Sequence, residues 1–177
     1  MSQQQPAIQN LQSAICNLQL AWYVDVSGCT GCRTCQVACQ DDNDLPASVR
    51  WRRVEEVVTG DYEMCGEVLV PHVRAYYVPV ACNHCPEPAC VDACPAGAIV
   101  KRPEDGLVLL DESACLGCRA CVDACPYGAI QVDPRTGRAS KCDFCADHLA
   151  AGRDPICVSA CPMRVLDWGP LTDLQAR

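Results

Sequence analysis

Sixteen of the chain's eighteen cysteines fall into four groups of four. The first is Cys29-x2-Cys32-x2-Cys35-x3-Cys39 and the second Cys82-x2-Cys85-x4-Cys90-x3-Cys94. The third is Cys115-x2-Cys118-x2-Cys121-x3-Cys125 and the last Cys142-x2-Cys145-x11-Cys157-x3-Cys161. Three of the fourth cysteines precede a proline (Pro95, Pro126, Pro162), and Gln40 breaks the rule. A chain so rich in thiols either bridges them as disulfides or commits them to metal. A disulfide needs Cα atoms about 5.5 Å apart, and nothing in this spacing favours that. Paired C-x2-C units also make zinc ribbons, but zinc takes two pairs from separate loops, not one dense run of four. Three thiolates at two-residue intervals can instead wrap one compact cube of iron and sulfide, each on its own iron.

The fourth thiolate sits three residues on, carried by a short helical turn. It is expected to point away from the first cube and to ligate the other cube of a pair, so quartets work in twos. The segment Val91-Asp-Ala-Cys-Pro-Ala-Gly-Ala-Ile99 recurs as Val122-Asp-Ala-Cys-Pro-Tyr-Gly-Ala-Ile130, which pairs the second quartet with the third. Cys82, Cys85 and Cys90 then share a cluster with Cys125, and Cys115, Cys118 and Cys121 with Cys94. By elimination the chain's two ends pair: Cys29, Cys32 and Cys35 with Cys161, and Cys142, Cys145 and Cys157 with Cys39. These sixteen cysteines are the expected ligands of four [4Fe–4S] clusters. No quartet lacks a member, so no three-iron variant is expected.

The elements around the loops are short. Each Cys-Pro ends a helical turn and releases the chain into β-formers, and a looser third copy of the repeat runs from Val158 to Leu166. Strands are expected at Ala21–Val26, Arg52–Val58, Val73–Val80, Gly106–Asp111 and Gln131–Asp133. The pattern is α+β. Residues 1–20 read as a polar extension with a seven-residue duplication starting at Ile8 and Ile15, compatible with a brief amphipathic helix. Residues 21–177 read as the four-cluster domain, with an inner module at about 78–133 and an outer one from about 21–77 plus 134–177.

Composition closes off several functions. The net charge is −8, which argues against nucleic acid as a partner. Leu20–Val24 is too short to cross a bilayer, and Val68–Ala81 is interrupted by Pro71, His72 and Arg74. The first positive side chain is Arg33, so no charged leader and no twin-Arg signal is read. There is no Gly-rich phosphate loop and no nucleophile elbow. No catalytic residue is expected: fully ligated cubes offer no open iron to a substrate, and a chain of four is a relay.

Cys16 and Cys65 are left over as structural or incidental thiols. His84, inside Cys82-Asn-His-Cys85, is expected to hydrogen-bond near a sulfur, because a Rieske centre would need two histidines. His72 and His148 read as surface or packing residues. Arg33, Arg119 and Lys141 each neighbour a ligand cysteine, and a positive charge there would favour the reduced cluster.

Tyr23-Val-Asp-Val-Ser-Gly-Cys-Thr-Gly-Cys-Arg-Thr-Cys, Pro79-Val-Ala-Cys-Asn-His-Cys-Pro-Glu-Pro-Ala-Cys and the third quartet through Cys-Pro-Tyr-Gly-Ala carry a resemblance. So do Lys141-Cys-Asp-Phe-Cys, Pro155-Ile-Cys-Val-Ser-Ala-Cys-Pro and Leu166-Asp-Trp-Gly-Pro-Leu. Over residues 21–175 the chain resembles the four-cluster iron–sulfur B subunits of dimethyl sulfoxide reductase-type molybdenum enzymes. The resemblance implies two intertwined bacterial-ferredoxin-like modules and the ligand pairing above. It also implies a large catalytic subunit with a molybdenum or tungsten bis-pterin cofactor, often with a quinol-handling membrane anchor. Cys118 stands where nitrate reductase relatives carry a Trp, which implies a complete cube here. It further implies a cytoplasmic location, or membrane association through partner subunits, on the periplasmic face when co-exported with a signal-bearing catalytic partner. The same chemistry would suit a polyferredoxin-type subunit of a hydrogenase or formate-hydrogenlyase complex, and a zinc-stapled scaffold is the rival from another class.

Overall fold

A computed structural model describes residues 18–176 of the chain. Most of the duplicated segment, including Cys16, lies outside the described residues. Its last residues, Leu20 and Ala21, open a strand instead of a helix.

In chain order, β1 (Leu20–Val24) leads through a turn to α1 (Thr34–Asp42). β2 (Arg53–Thr59), β3 (Tyr62–Cys65), β4 (Val68–Pro71) and β5 (Arg74–Val80) follow. Then come α2 (Ala89–Asp92), β6 (Ile99–Lys101), β7 (Val108–Leu110), α3 (Ala120–Ala124), β8 (Gln131–Val132) and β9 (Ala139–Ser140). α4 (Ala146–Ala150), α5 (Ile156–Ser159), β10 (Leu166–Pro170) and α6 (Leu171–Gln175) finish the chain. The mixture is the α+β class expected. Each of the five expected strands is present, with ends within two residues of the reading.

Among the described residues all sheets are two-stranded and antiparallel: β1 with β10, β2 with β5, β3 with β4, β6 with β7, and β8 with β9. The first joins the two ends of the described chain, with Leu20 opposite Pro170 and Val24 opposite Leu166. The β3–β4 hairpin was not anticipated, for Tyr62, Met64, Val68 and Leu69 are more than half exposed and show no buried face for a period-two pattern to mark.

Proline punctuates the repeats as expected. α2, α3 and α5 stop just ahead of Cys94-Pro95, Cys125-Pro126 and Cys161-Pro162, because the residue before proline is pushed out of the helical region. Two residues past each proline the backbone turns left-handed, at Gly97 (φ 62°), Gly128 (φ 58°) and, in the looser copy, Arg164 (φ 54°). The strands β6, β8 and β10 follow.

Gly31, between Cys29 and Cys32, shows why a glycine is needed in the first loop. Its φ is +70° and a Cβ there would sit 2.6 Å from the Tyr77 ring. Gly31→Ala is expected to cost at least about 1–2 kcal/mol from the left-handed conformation alone, and more from the clash. An anoxic thermal melt of the iron-loaded chain should show a lowered midpoint; an unchanged midpoint refutes the assignment.

With a single Phe in the sequence, the core is organised around few aromatics. Phe144 is fully buried and stacks on Trp22 with ring centroids 3.8 Å apart. Trp22 also packs against three of the buried apolar clusters and donates its indole N–H to the Cys82 carbonyl at 3.1 Å. This pair ties β1 to the second and fourth quartets. Phe144→Ala is expected to destabilise the chain by about 3–5 kcal/mol, measured as a shift in anoxic denaturant midpoint; a loss below about 1 kcal/mol would mean the site collapses around the gap.

Candidate cluster-binding site

α1 carries Cys35 and Cys39 four residues apart, on the same helix face and offset by about 6 Å along the axis. The two sulfurs nevertheless keep different company. Cys35 senses the charges of Cys157, Cys161 and Cys32, while Cys39 senses Cys157 and Cys145. Cys157 is a neighbour of both.

One pocket is lined by Cys29, Cys32, Cys35 and, from the far end of the sequence, Cys161. Val54, Pro79, Val165 and Leu166 wall it, and about 290 Å³ of empty space lies inside it and at its mouth. The antiparallel β1–β10 pair is what brings the first and last quartets together.

The other groupings show through electrostatic neighbours. Cys142 lies near Cys39, and Cys145 near Cys157. Cys85 and Cys90 both sense Cys82 and Cys125. Cys121 senses Cys115, Cys94 and Cys118. Every cysteine among the described residues is a free thiol, and Cys65 stands alone and exposed on the β3–β4 hairpin.

The sulfurs fit a cationic core. Burial pushes Cys35 and Cys90 up to about 11 and Cys39 and Cys145 up to about 12, with neighbouring thiolates adding to it in each case. Cys142 is raised well above the thiol range, again chiefly by burial. Such thiols stay protonated at neutral pH unless a metal displaces the proton.

Among the described residues, two buried side-chain polar atoms have no hydrogen-bond partner, Arg52 Nε and His84 Nε2. Both belong to residues beside the thiols. His84 is wholly buried in the loop before Cys85, with φ at +46°. Its Nδ1 accepts from the Val108 N–H at 2.9 Å, which leaves the hydrogen on Nε2. Burial first, then the charges of Lys141, Lys101 and Arg102, hold His84 well below the usual imidazole range, so the ring is neutral. Its observed partner is thus a backbone amide, and its remaining N–H is a free donor beside the second quartet.

The basic residues divide. Arg33 and Arg119 are exposed, each in left-handed backbone just ahead of a helix. Lys141 is buried, donating to the Val108 carbonyl and to the Cys142 carbonyl at 2.6 Å. His72 pairs with Glu63 on the surface and buried His148 with Asp42. Sequence reading missed Arg52. It is 2 % exposed, donates to Cys157 Sγ at 3.3 Å and lies 4.5 Å from the Trp22 ring centroid. The signal was present: Arg52 is two residues from buried Val54, on the inward side of a strand pattern, while Arg53 between them faces out to Glu55.

The 4Fe-4S dicluster domain family matches residues 73–171, and a 4Fe-4S binding domain family matches residues 27–42. The chain is 48% identical over 159 residues to the B subunit of anaerobic dimethyl sulfoxide reductase from Escherichia coli K12, covering 90% of this chain and 77% of that one. It belongs to the dimethyl sulfoxide reductase B-subunit family. Another member, the corresponding anaerobic dimethyl sulfoxide reductase subunit of Haemophilus influenzae, is 42% identical over 160 residues, 90% of this chain and 78% of the relative. The thiosulfate reductase electron transfer subunit PhsB of Salmonella typhi is 43% identical over 150 residues, 84% and 74% of the two chains. As a B-subunit family member the chain is a ferredoxin-like electron-transfer subunit whose cofactors are [4Fe–4S] clusters.

Proposed function

We propose that this chain relays single electrons through four [4Fe–4S] clusters between a molybdopterin-containing catalytic subunit and a quinone-linked membrane anchor or a soluble redox partner. The ligand sets are Cys29, Cys32, Cys35 and Cys161; Cys142, Cys145, Cys157 and Cys39; Cys82, Cys85, Cys90 and Cys125; and Cys115, Cys118, Cys121 and Cys94. Each bound cluster supplies a one-electron redox site.

What supports the reading is that cysteines of successive proposed sets are neighbours. Cys35 of the first set senses Cys157 of the second, and Cys142 of the second senses Cys82 of the third. Cys90 and Cys125 of the third share a buried apolar cluster with Cys94, Cys115 and Cys121 of the fourth. Each end set has one exposed sulfur, Cys32 and Cys118, whereas Cys39, Cys142, Cys145 and Cys157 of the second set are all buried and the third set is mostly half-buried. An exposed sulfur in each end set suits entry at one end and exit at the other. In this reading the chain has an inner module at about residues 78–133 and an outer one built from the flanking segments.

The catalytic partner is supported by the relatives named as subunits of dimethyl sulfoxide and thiosulfate reductases. Among the described residues no helix is long and apolar enough to cross a membrane, so membrane attachment in this reading comes through a partner subunit. Anoxic purification of the native complex is expected to give brown material with about sixteen irons per chain, at four per cube. A large polypeptide carrying molybdenum or tungsten and pterin should accompany it. Colourless or zinc-loaded material would overturn the cluster reading, and an iron-loaded chain with no such companion would overturn the catalytic partner.

A further inference from the structure

Arg52 is a buried cation that forms no ion pair with a carboxylate among the described residues. A guanidinium keeps its proton under all ordinary conditions, and a charge withdrawn from water needs a counter-charge or a full set of acceptors. What surrounds Arg52 is sulfur and an aromatic face. Nη2 donates to Cys157 Sγ at 3.3 Å, the guanidinium carbon lies 4.5 Å from the Trp22 ring centroid, and Nε has no partner among the described residues. Protonated thiols could not balance this charge. A thiolate-ligated, net negative cluster can.

We propose that Arg52 is the fixed cation that raises the reduction potential of the cluster held by Cys39, Cys142, Cys145 and Cys157. This rests on the ligand sets proposed above. Three of those four cysteines interact with Arg52: Cys157, Cys142 and Cys39. The neighbouring set of Cys29, Cys32, Cys35 and Cys161 meets it through Cys35. When the first of these clusters accepts one electron from an adjacent cluster, its net negative charge grows by one. The arginine stays protonated before and after, so no proton moves. Attraction between a fixed cation and the added charge, in a water-poor interior, favours the reduced form. The effect should therefore be largest at that cluster, smaller at the Cys29 set and absent at the Cys115 set.

The test compares Arg52→Gln and Arg52→Lys with the parent complex, purified without oxygen, by iron content and by redox titration followed by electron paramagnetic resonance. Arg52→Gln with full iron is expected to shift one cluster's reduced-to-oxidised ratio at fixed potential by about tenfold, which is about 59 mV for a one-electron couple, toward lower potential. Arg52→Lys, which keeps the charge, should lie closer to the parent. Full iron with four unchanged midpoints in Arg52→Gln would remove the assignment. If Arg52→Gln loses iron, Arg52→Lys decides. Retained clusters with near-parental midpoints uphold the charge, whereas loss of the same cluster overturns it in favour of a structural role. A parent complex far short of sixteen irons would instead remove the ligand sets themselves, a result distinct from unchanged midpoints.

Discussion

Cys94→Ala is expected to damage the cluster wrapped by Cys115, Cys118 and Cys121, and to leave the one wrapped by its own quartet-mates Cys82, Cys85 and Cys90 intact. The basis is the grouping of sulfurs: Cys121 has Cys94 among its charged neighbours, while Cys85 and Cys90 have Cys125. Iron per chain should fall by about one, if only a cube corner is lost, to about four, if the cube is lost. Double variants identify which cube it is, since residues acting as a unit are not additive. Adding Cys115→Ala to Cys94→Ala should cost far less iron than the two single losses combined. Adding Cys82→Ala should cost about as much again. The opposite pattern would show each quartet closing on its own cube and would break the serial order.

Anoxic removal of iron is expected to abolish the cooperative fold. Cys35, Cys39, Cys82, Cys121, Cys142, Cys145, Cys157 and Cys161 are themselves buried core residues. Cys35, Cys157 and Cys161 pack directly with Val54, Val165 and Leu166. Stripped of metal, these buried sulfurs lose the ligand bonds that would tie their loops together. The sheets are two-stranded, and isolated hairpins are marginal in water. Structural metal sites can contribute about 10–16 kcal/mol, against a net stability of only about 5–15 kcal/mol for an ordinary domain. Circular dichroism after chelation should lose its sharp thermal transition, and re-addition of iron and sulfide under reducing conditions should restore it. A metal-free chain that still melts cooperatively would mean that the protein scaffold stands without its clusters.

Much of this was visible in the residues. Cysteine spacing named the candidate ligands because wrapping a cube is a local act: Cys29, Cys32 and Cys35 need only seven residues of backbone to surround one site. The Cys-Pro boundaries were legible for the same reason, since proline acts on its immediate neighbours. Strands such as Arg53–Thr59 were found by composition. The β3–β4 hairpin was not, because side chains exposed on both faces leave no alternation to detect.

The sequence by itself determined the chemistry of the chain: the kind of ligand, the quartets and the α+β loops that present them. Those depend on contacts within a dozen residues. Only the tertiary structure decided what meets across long separations. It placed Cys161 in the pocket of Cys29, hid His84 and Lys141 while leaving Arg33 and Arg119 in solvent, and sealed Arg52 against Cys157. A charge's effect on a cluster depends on distance and on exclusion of water. Neither is written in the order of residues, and both follow once β1 closes on β10 and Trp22 stacks on Phe144.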